Sequence, residues 1–348
     1  MPEYARPDHT REFRRRRFLS ASALAVCAAW IVGGTRADAA ADPGVVRRPI
    51  GQLKVSMTIH LGKTADWVAI TDSAVWVGST GPHAVHEIDP ATNRRIATVE
   101  LRGEPCAGLA VGSDSLWIPL CGRSGGLARV DLRTHRLVAT YDVGPATAEG
   151  GVAFGDGSVW MVLKSGALAR IDPANGSVRQ RVTVPSGSFN PQFGAGLLWI
   201  TRAKGAEITR VDATTGTVLG HLPTGPNPRF LTAGGGAVWT LNQGDGSLSR
   251  IDPSGRQPPR TLALGTPGPG GDITYGGGRI WTTFQGVPLS IVDAAAPALL
   301  CQWQGPGGDS LGFGHGSIWL TDYHAGTISR IALADIPSDC DVKSSAPP

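Results

Sequence analysis

The sequence predicts an all-β fold, a seven-bladed β-propeller of four-stranded antiparallel blades whose ring is closed by an N-terminal strand. Three observations carry this. Tryptophans recur at Trp76, Trp117, Trp160, Trp199, Trp239, Trp281 and Trp319, with gaps of 41, 43, 39, 40, 42 and 38 residues. A fixed period near forty is the mark of a radial or stacked repeat. After each of the first six tryptophans, 12 to 14 residues on, stands an aspartate: Asp89, Asp131, Asp172, Asp212, Asp252 and Asp293. The chain also holds 48 Gly and 26 Pro in 348 residues, too many turn formers for long helices.

Composition narrows the function classes. Hydrophobic residues make up 41%, enough for a folded core, so the glycine does not signal disorder. The net charge of +4 sits mostly at the N-terminus, because residues 1–39 carry seven basic and four acidic side chains. The remaining net of +1 leaves no basic stripe for a phosphate backbone, which excludes nucleic acid as a partner.

Residues 1–39 read as an export signal. Arg15-Arg16-Arg17-Phe18-Leu19 precedes a short, small-residued apolar run from Ser20 to Val32, and Ala37-Asp38-Ala39 fits a signal-peptidase site. Paired arginines before Phe-Leu point to the twin-arginine route, hence to a periplasmic or secreted protein with no membrane span once the signal is cleaved. A linker over 40–52, a propeller over 53–333 and a tail over 334–348 complete the division.

Within a unit, an inner strand precedes the tryptophan, a second strand bears it, a third ends at the aspartate, and an outer strand follows. The aspartate accepts backbone N–H bonds two residues on and opens a hairpin turn, as in Asp172-Pro173-Ala174-Asn175-Gly176. After Trp319 the third strand runs into Ala332 with no outer strand, while Val55 to Gly62 reads as a spare outer strand. That strand is expected to complete blade seven and remove an exposed edge. With Cys27 lost in the signal, four cysteines remain, and their places in the blades predict Cys106–Cys121 and Cys301–Cys340 as structural disulfides.

The units Gly155-Asp156-Gly157-Ser158-Val159-Trp160 and Arg210-Val211-Asp212-Ala213-Thr214-Thr215-Gly216 resemble those of the YVTN-type and streptogramin B lyase-like (virginiamycin B lyase-like) seven-bladed propellers. The resemblance covers about residues 53–333. It implies a channel mouth built from loops where, in the lyases, histidines and a glutamate act with Mg²⁺ to open a cyclic depsipeptide by elimination. Those enzymes' blades commonly read Trp-Phe-Thr-Glu, a run absent here, so their catalytic residues have no matching positions.

Counting back nine or ten residues from each tryptophan gives the loop positions that face the channel, among them Asp66, Trp67, Asn190, Arg229, Asp272 and Asp309. Loops between second and third strands add His83, Arg123, Lys164, Arg202, Asn242, Gln285, Asp322, Tyr323 and His324. Glu104 and Glu149 enter the same mouth. Blades six, seven and one thus bring acids and histidines together, and blades two to five bring cations. The acid sector is expected to hold a divalent metal, Mg²⁺ or Ca²⁺, on Asp66, Asp272, Asp309 and Asp322, with His324, Asp309 and His83 as catalytic groups. Arg229, Arg202, Lys164, Asn242, Gln285, Trp67 and Tyr323 are expected to bind the ligand.

The expected function is a metal-assisted lyase or hydrolase of a small or cyclic metabolite, acting as a monomer. The alternative is a non-catalytic periplasmic ligand-binding or protein-interaction scaffold with an exported protein partner. The signal reading predicts that the mature exported chain begins at Ala40, which intact-mass measurement of the exported fraction checks; a chain retaining residues 1–39 contradicts it.

Overall fold

A computed structural model describes residues 44–122 and 125–340. The stretch read as an export signal, Arg123 and the end of the tail lie outside the described residues. The seven expected sheets are all present, each built on four antiparallel strands. Blade one runs Thr64–Ile70, Val75–Thr80, Ala84–Asp89 and Arg94–Glu100 from the axis outward. Blades two to six repeat this order over 110–141, 152–183, 188–223, 228–263 and 273–304.

The tryptophans explain the period. All seven are exposed by 1% or less. In blades two to seven the indole N–H donates to the carbonyl of a glycine five residues earlier, from Trp117 to Gly112 at 3.0 Å through Trp319 to Gly314 at 3.2 Å. That glycine closes the inner hairpin and takes the next blade's side chain against its bare Cα. A Cβ on Gly112, Gly155, Gly234 or Gly276 would lie 2.0–2.2 Å from Phe154, Phe193, Tyr275 or Phe313.

The Arg-Val/Ile-Asp motif is a second inter-blade clasp. Each arginine pairs across the strands with its own tryptophan, and Arg129, Arg170, Arg250 and Arg330 lie 5.1–5.8 Å from the ring centres. The guanidiniums of Arg129 and Arg170 reach the next blade's turn, donating to Pro173 O at 3.1 Å and Thr214 O at 2.7 Å. Blade one inverts the polarity: Glu87 faces Trp76, and its carboxylate bonds the His135 ring in the turn of blade two. The turn aspartates do the expected structural work. Asp131 accepts from the N–H groups of Arg133 and Thr134 at 3.0 and 2.7 Å, and such turn bonds hold Asp131 and Asp212 below the usual carboxylate range.

Closure occurs where it was expected. Met57–His60 pairs antiparallel with Thr327–Ala332, Met57 opposite Arg330 and His60 opposite Thr327, and supplies the outer strand of blade seven. The stretch read as a linker over 40–52 contains more structure than that: Val46–Pro49 adds as a fifth, parallel strand to the outer edge of blade six. Both disulfides form as paired above, Cys106–Cys121 with Cα atoms 5.8 Å apart and Cys301–Cys340 with 5.4 Å. The second ties the tail to blade six beneath Arg48, whose guanidinium donates to Asp339 at 2.5 Å. Paired disulfides fit an exported protein. No helix among the described residues is long and apolar enough to cross a membrane.

The glycine contact yields a direct test. Gly276→Ala forces a Cβ into Phe313 and is expected to cost about 1–3 kcal/mol, the usual range for overpacking. Gly51→Ala, with nothing within 4 Å, is the matched control and is expected to be neutral. Urea unfolding of both variants decides; equal stabilities contradict the packing argument.

Candidate functional site at the channel mouth

Seven inner strands converge on the axis, so their first residues ring one mouth of the channel. Blade one is kinked there. Its inner strand shifts register between Asp66 and Val68, and Trp67 takes a φ of 59°, left-handed backbone that a bulky side chain seldom adopts. The Asp66 carboxylate secures the kink by accepting the Trp67 N–H at 2.7 Å. The kink swings the indole across the axis, 6.0 Å from Phe230, with Phe189 edge-on to Phe230 at 6.2 Å. Trp67 lines a mouth cavity of about 510 Å³ and also one of about 270 Å³ further along the inner strands, so its ring stands between them.

Five carboxylates line the mouth cavity: Asp66, Glu104, Glu149, Asp272 and Asp309. Asp272 bridges blades six and seven, accepting from Ile273 N and Ser310 Oγ, both at 2.7 Å. Burial nonetheless pushes its pKa up to about 6. Asp66 is raised well above the ordinary carboxylate value, by burial first and then by the charge of Asp309. Burial also raises Asp309, with Glu149 adding repulsion and His324 opposing it. Threonines fix this geometry: Thr283, two residues past Trp281, takes the Asp272 N–H at 2.7 Å and donates its hydroxyl to the Asp309 carbonyl of the next blade. Thr201 does the same between Asn190 and Arg229, at 3.1 and 2.9 Å.

Of the residues expected at the site, Asp66, Trp67, Arg229, Asp272, Asp309, Tyr323 and His324 all line the mouth cavity. Tyr323 and His324 meet edge to face at 5.3 Å on its rim, and burial together with Asp66 raises the Tyr323 phenol. Gln285 and Asp322 line an adjoining groove of about 400 Å³ that shares Asp309, Tyr323 and His324 with the mouth. The rest are elsewhere. His83 and Lys164 are exposed on hairpins outside the cavity lining. Arg202 is held by Glu207 and the Ser186 carbonyl, each at 2.9 Å. Asn242 is fully buried in blade five, bonded to Thr240, Ser247 and Ser249.

The expected opposition of acidic and basic sectors therefore does not form among the described residues lining the cavity. Arg229 is the arginine that reaches it; it pairs with Glu149 and lies 4.4 Å from the Phe189 ring centre. Nor do the four expected aspartates gather as a metal-binding set. No three His, Cys, Asp or Glu side chains among the described residues converge to hold a metal ion. Asp272 is committed to Ser310 and two backbone donors, and Asp322 to Ala325 N at 3.0 Å. Asp66, Asp272 and Asp309 line the same cavity, and Asp322 lies in the adjoining groove.

Sequence reasoning missed Phe230, Ser79 and Ser310 in the lining. Gly308-Asp309-Ser310-Leu311-Gly312 matches the Gly-x-Ser-x-Gly nucleophile pattern. Its context differs from a nucleophile elbow: Ser310 precedes an inner strand, no helix follows, and its hydroxyl donates to Asp272.

The raised carboxyls make stability pH-dependent. Asp272, ordinarily near 3.8 and about 6 when folded, keeps a proton that the unfolded chain releases. Its contribution is complete below pH about 4 and is lost as pH rises through about 6. Asp272→Asn is therefore expected to gain in melting temperature relative to the unsubstituted protein between pH 4 and 7; a pH-independent difference contradicts the burial argument.

No family model matches this chain, and no curated protein does. Solved structures do. The streptogramin B lyase structure aligns with a TM-score of 0.66 and 17% identity, covering 79% of this chain and 96% of that one. BamB from Moraxella catarrhalis aligns with a TM-score of 0.57 and 12% identity, covering 80% and 99%. The fold is that of a streptogramin B lyase-like seven-bladed β-propeller.

Proposed function

We propose that this is an exported enzyme, carried by the twin-arginine route, that acts on a small or cyclic metabolite in the mouth cavity as a lyase or hydrolase. The observation that carries the reading is the Asp66–Asp309 pair. Both carboxyls are raised by burial in one cavity, and the charge of Asp309 raises Asp66 further, so the two do not both ionise readily and supply an acid and a base in one place. Asp66, the more strongly raised, holds a proton to give to a leaving group. Asp309, favoured as the anion by His324, accepts one from the carbon acid or the attacking water. Trp67 closes the floor and keeps bulk water from passing down the axis. The likeness to streptogramin B lyase in fold supports cyclic depsipeptides and lactones as the first substrates to try.

A second reading, a non-catalytic binding or protein-interaction scaffold, draws on the hydrogen bonds that already occupy Asp272 and on the Glu149–Arg229 pair. Turnover separates the two. With a lactone or depsipeptide panel, Asp66→Asn is expected to lower kcat by about 10²–10⁴-fold. The unsubstituted enzyme should lose rate at high pH as Asp66 ionises and at low pH as Asp309 takes up its proton. Binding without turnover, or full activity in both Asp66→Asn and Asp309→Asn, moves the assignment to the scaffold.

A further inference from the structure

Blade one carries a group of polar side chains that the carboxylate chemistry does not use. Ser79, three residues past Trp76, belongs to the wall of the mouth cavity. Its Oγ lies 2.8 Å from Nε2 of His86 on the third strand, and His86 Nδ1 lies 3.0 Å from Thr98 Oγ1 on the outer strand. Ser79 Oγ also has the Pro82 carbonyl at 3.0 Å as a second acceptor. All three residues point to one face of the blade because His86 pairs with Val77 on one side and Thr98 on the other, and Ser79 follows Val77 by two. When Nδ1–H is donated to Thr98, Nε2 presents its lone pair to the serine hydroxyl.

We propose that Ser79, His86 and Thr98 form a nucleophile–base relay in the wall of the mouth cavity, and that it attacks the carbonyl of an ester or lactone. Ser79 Oγ bonds to the carbonyl carbon while its proton passes to His86 Nε2. The carbon–oxygen bond of the ester then breaks, and the departing alkoxide takes the proton from His86. Water, giving its proton to the same nitrogen, releases the acid and restores Ser79. Thr98 touches no substrate; it is a positioning residue that fixes the imidazole tautomer.

The other blades show what is particular about blade one. At the position three past the tryptophan stand Leu120, Leu163, Arg202, Asn242, Phe284 and Asp322. Blade four has a related pair, Thr209 Oγ1 to His221 Nδ1 at 3.0 Å, but there the histidine is exposed and Arg202 replaces the serine. His86 is 1% exposed. Burial, with Arg95 adding to it, lowers its pKa to about 4, so at neutral pH the ring is neutral and its Nε2 lone pair is open to the serine hydroxyl.

The proposal deepens the reading that the mouth cavity holds the substrate, and it is tested without knowing that substrate. The intact protein is treated with a fluorophosphonate, which reacts with activated serines, and the adduct is mapped by peptide mass spectrometry. One adduct on Ser79 is expected, absent in Ser79→Ala and formed about 100-fold more slowly in His86→Gln. Thr98→Val is expected to slow labelling and Thr98→Ser to restore it. No adduct on Ser79, an adduct on Ser310 instead, or the same labelling rate in His86→Gln overturns the relay. As a check on folding, iodoacetamide should alkylate the thiol of Ser79→Cys in the folded protein; a thiol out of reach also overturns it. The two readings fail separately. Loss of turnover in Asp66→Asn with an unlabelled Ser79 removes the relay and keeps the carboxylate pair. A labelled Ser79 with full turnover in Asp66→Asn does the reverse.

Discussion

A glycine with a bare Cα, capped by an indole N–H and covered by the next blade's side chain, is the contact on which the ring depends. It repeats from Gly112 under Phe154 to Gly314 under Ile70, and the last of these joins blade seven to blade one. Each contact sets the spacing between neighbouring sheets near the axis, where there is least room. The hydrogen bond from the tryptophan satisfies a carbonyl that the turn would otherwise leave open. Further out, the guanidinium that lies on the same tryptophan reaches the next blade's turn, so one side chain organises both the inner and the outer junction. The same logic survives a change of residue, since Glu87 and His135 replace arginine and carbonyl between blades one and two.

This rigid ring makes an electrostatically unfavourable mouth tolerable. Asp66, Asp272 and Asp309 come from blades one, six and seven, and burial raises all three. Asp66 and Asp272 are held by backbone and hydroxyl donors belonging to the ring, which keep their carboxyls in place. The left-handed Trp67 belongs to the same economy of strain: its N–H is fixed by Asp66, and its ring by Phe230. Acid walls, one paired arginine and an aromatic floor are therefore properties of the closed ring, and no single blade contains them.

The architecture was legible because each of its rules is local and repeated. Trp160 and Asp172 lie 12 residues apart in one blade, and the pattern recurs around the ring. The missing outer strand after Trp319 and the spare one before Asp66 identify each other, since an unpaired edge must be covered. The disulfides followed once the blades were drawn. The parallel strand Val46–Pro49 was not legible: four residues of mixed polarity reveal nothing of the edge they join, and that edge is about 250 residues away.

The site was half legible for a reason that differs by residue. Loop numbering placed Asp66, Asp272, Asp309 and Arg229 at the mouth, because register along an inner strand follows from its distance to the tryptophan. It misplaced Lys164, Arg202 and Asn242, because whether a hairpin side chain turns toward the axis, to a neighbour or into the blade is a matter of packing. Asn242 found three partners inside blade five, and Arg202 found Glu207. Ser79 and His86 lie seven residues apart on two strands, and only their pairing shows that the hydroxyl meets the ring. The sequence by itself determined a seven-fold ring, its closure and its covalent ties, all set by local spacing. The tertiary structure alone decided which polar side chains share a cavity and which protons they keep, because burial and charge depend on what closes over them.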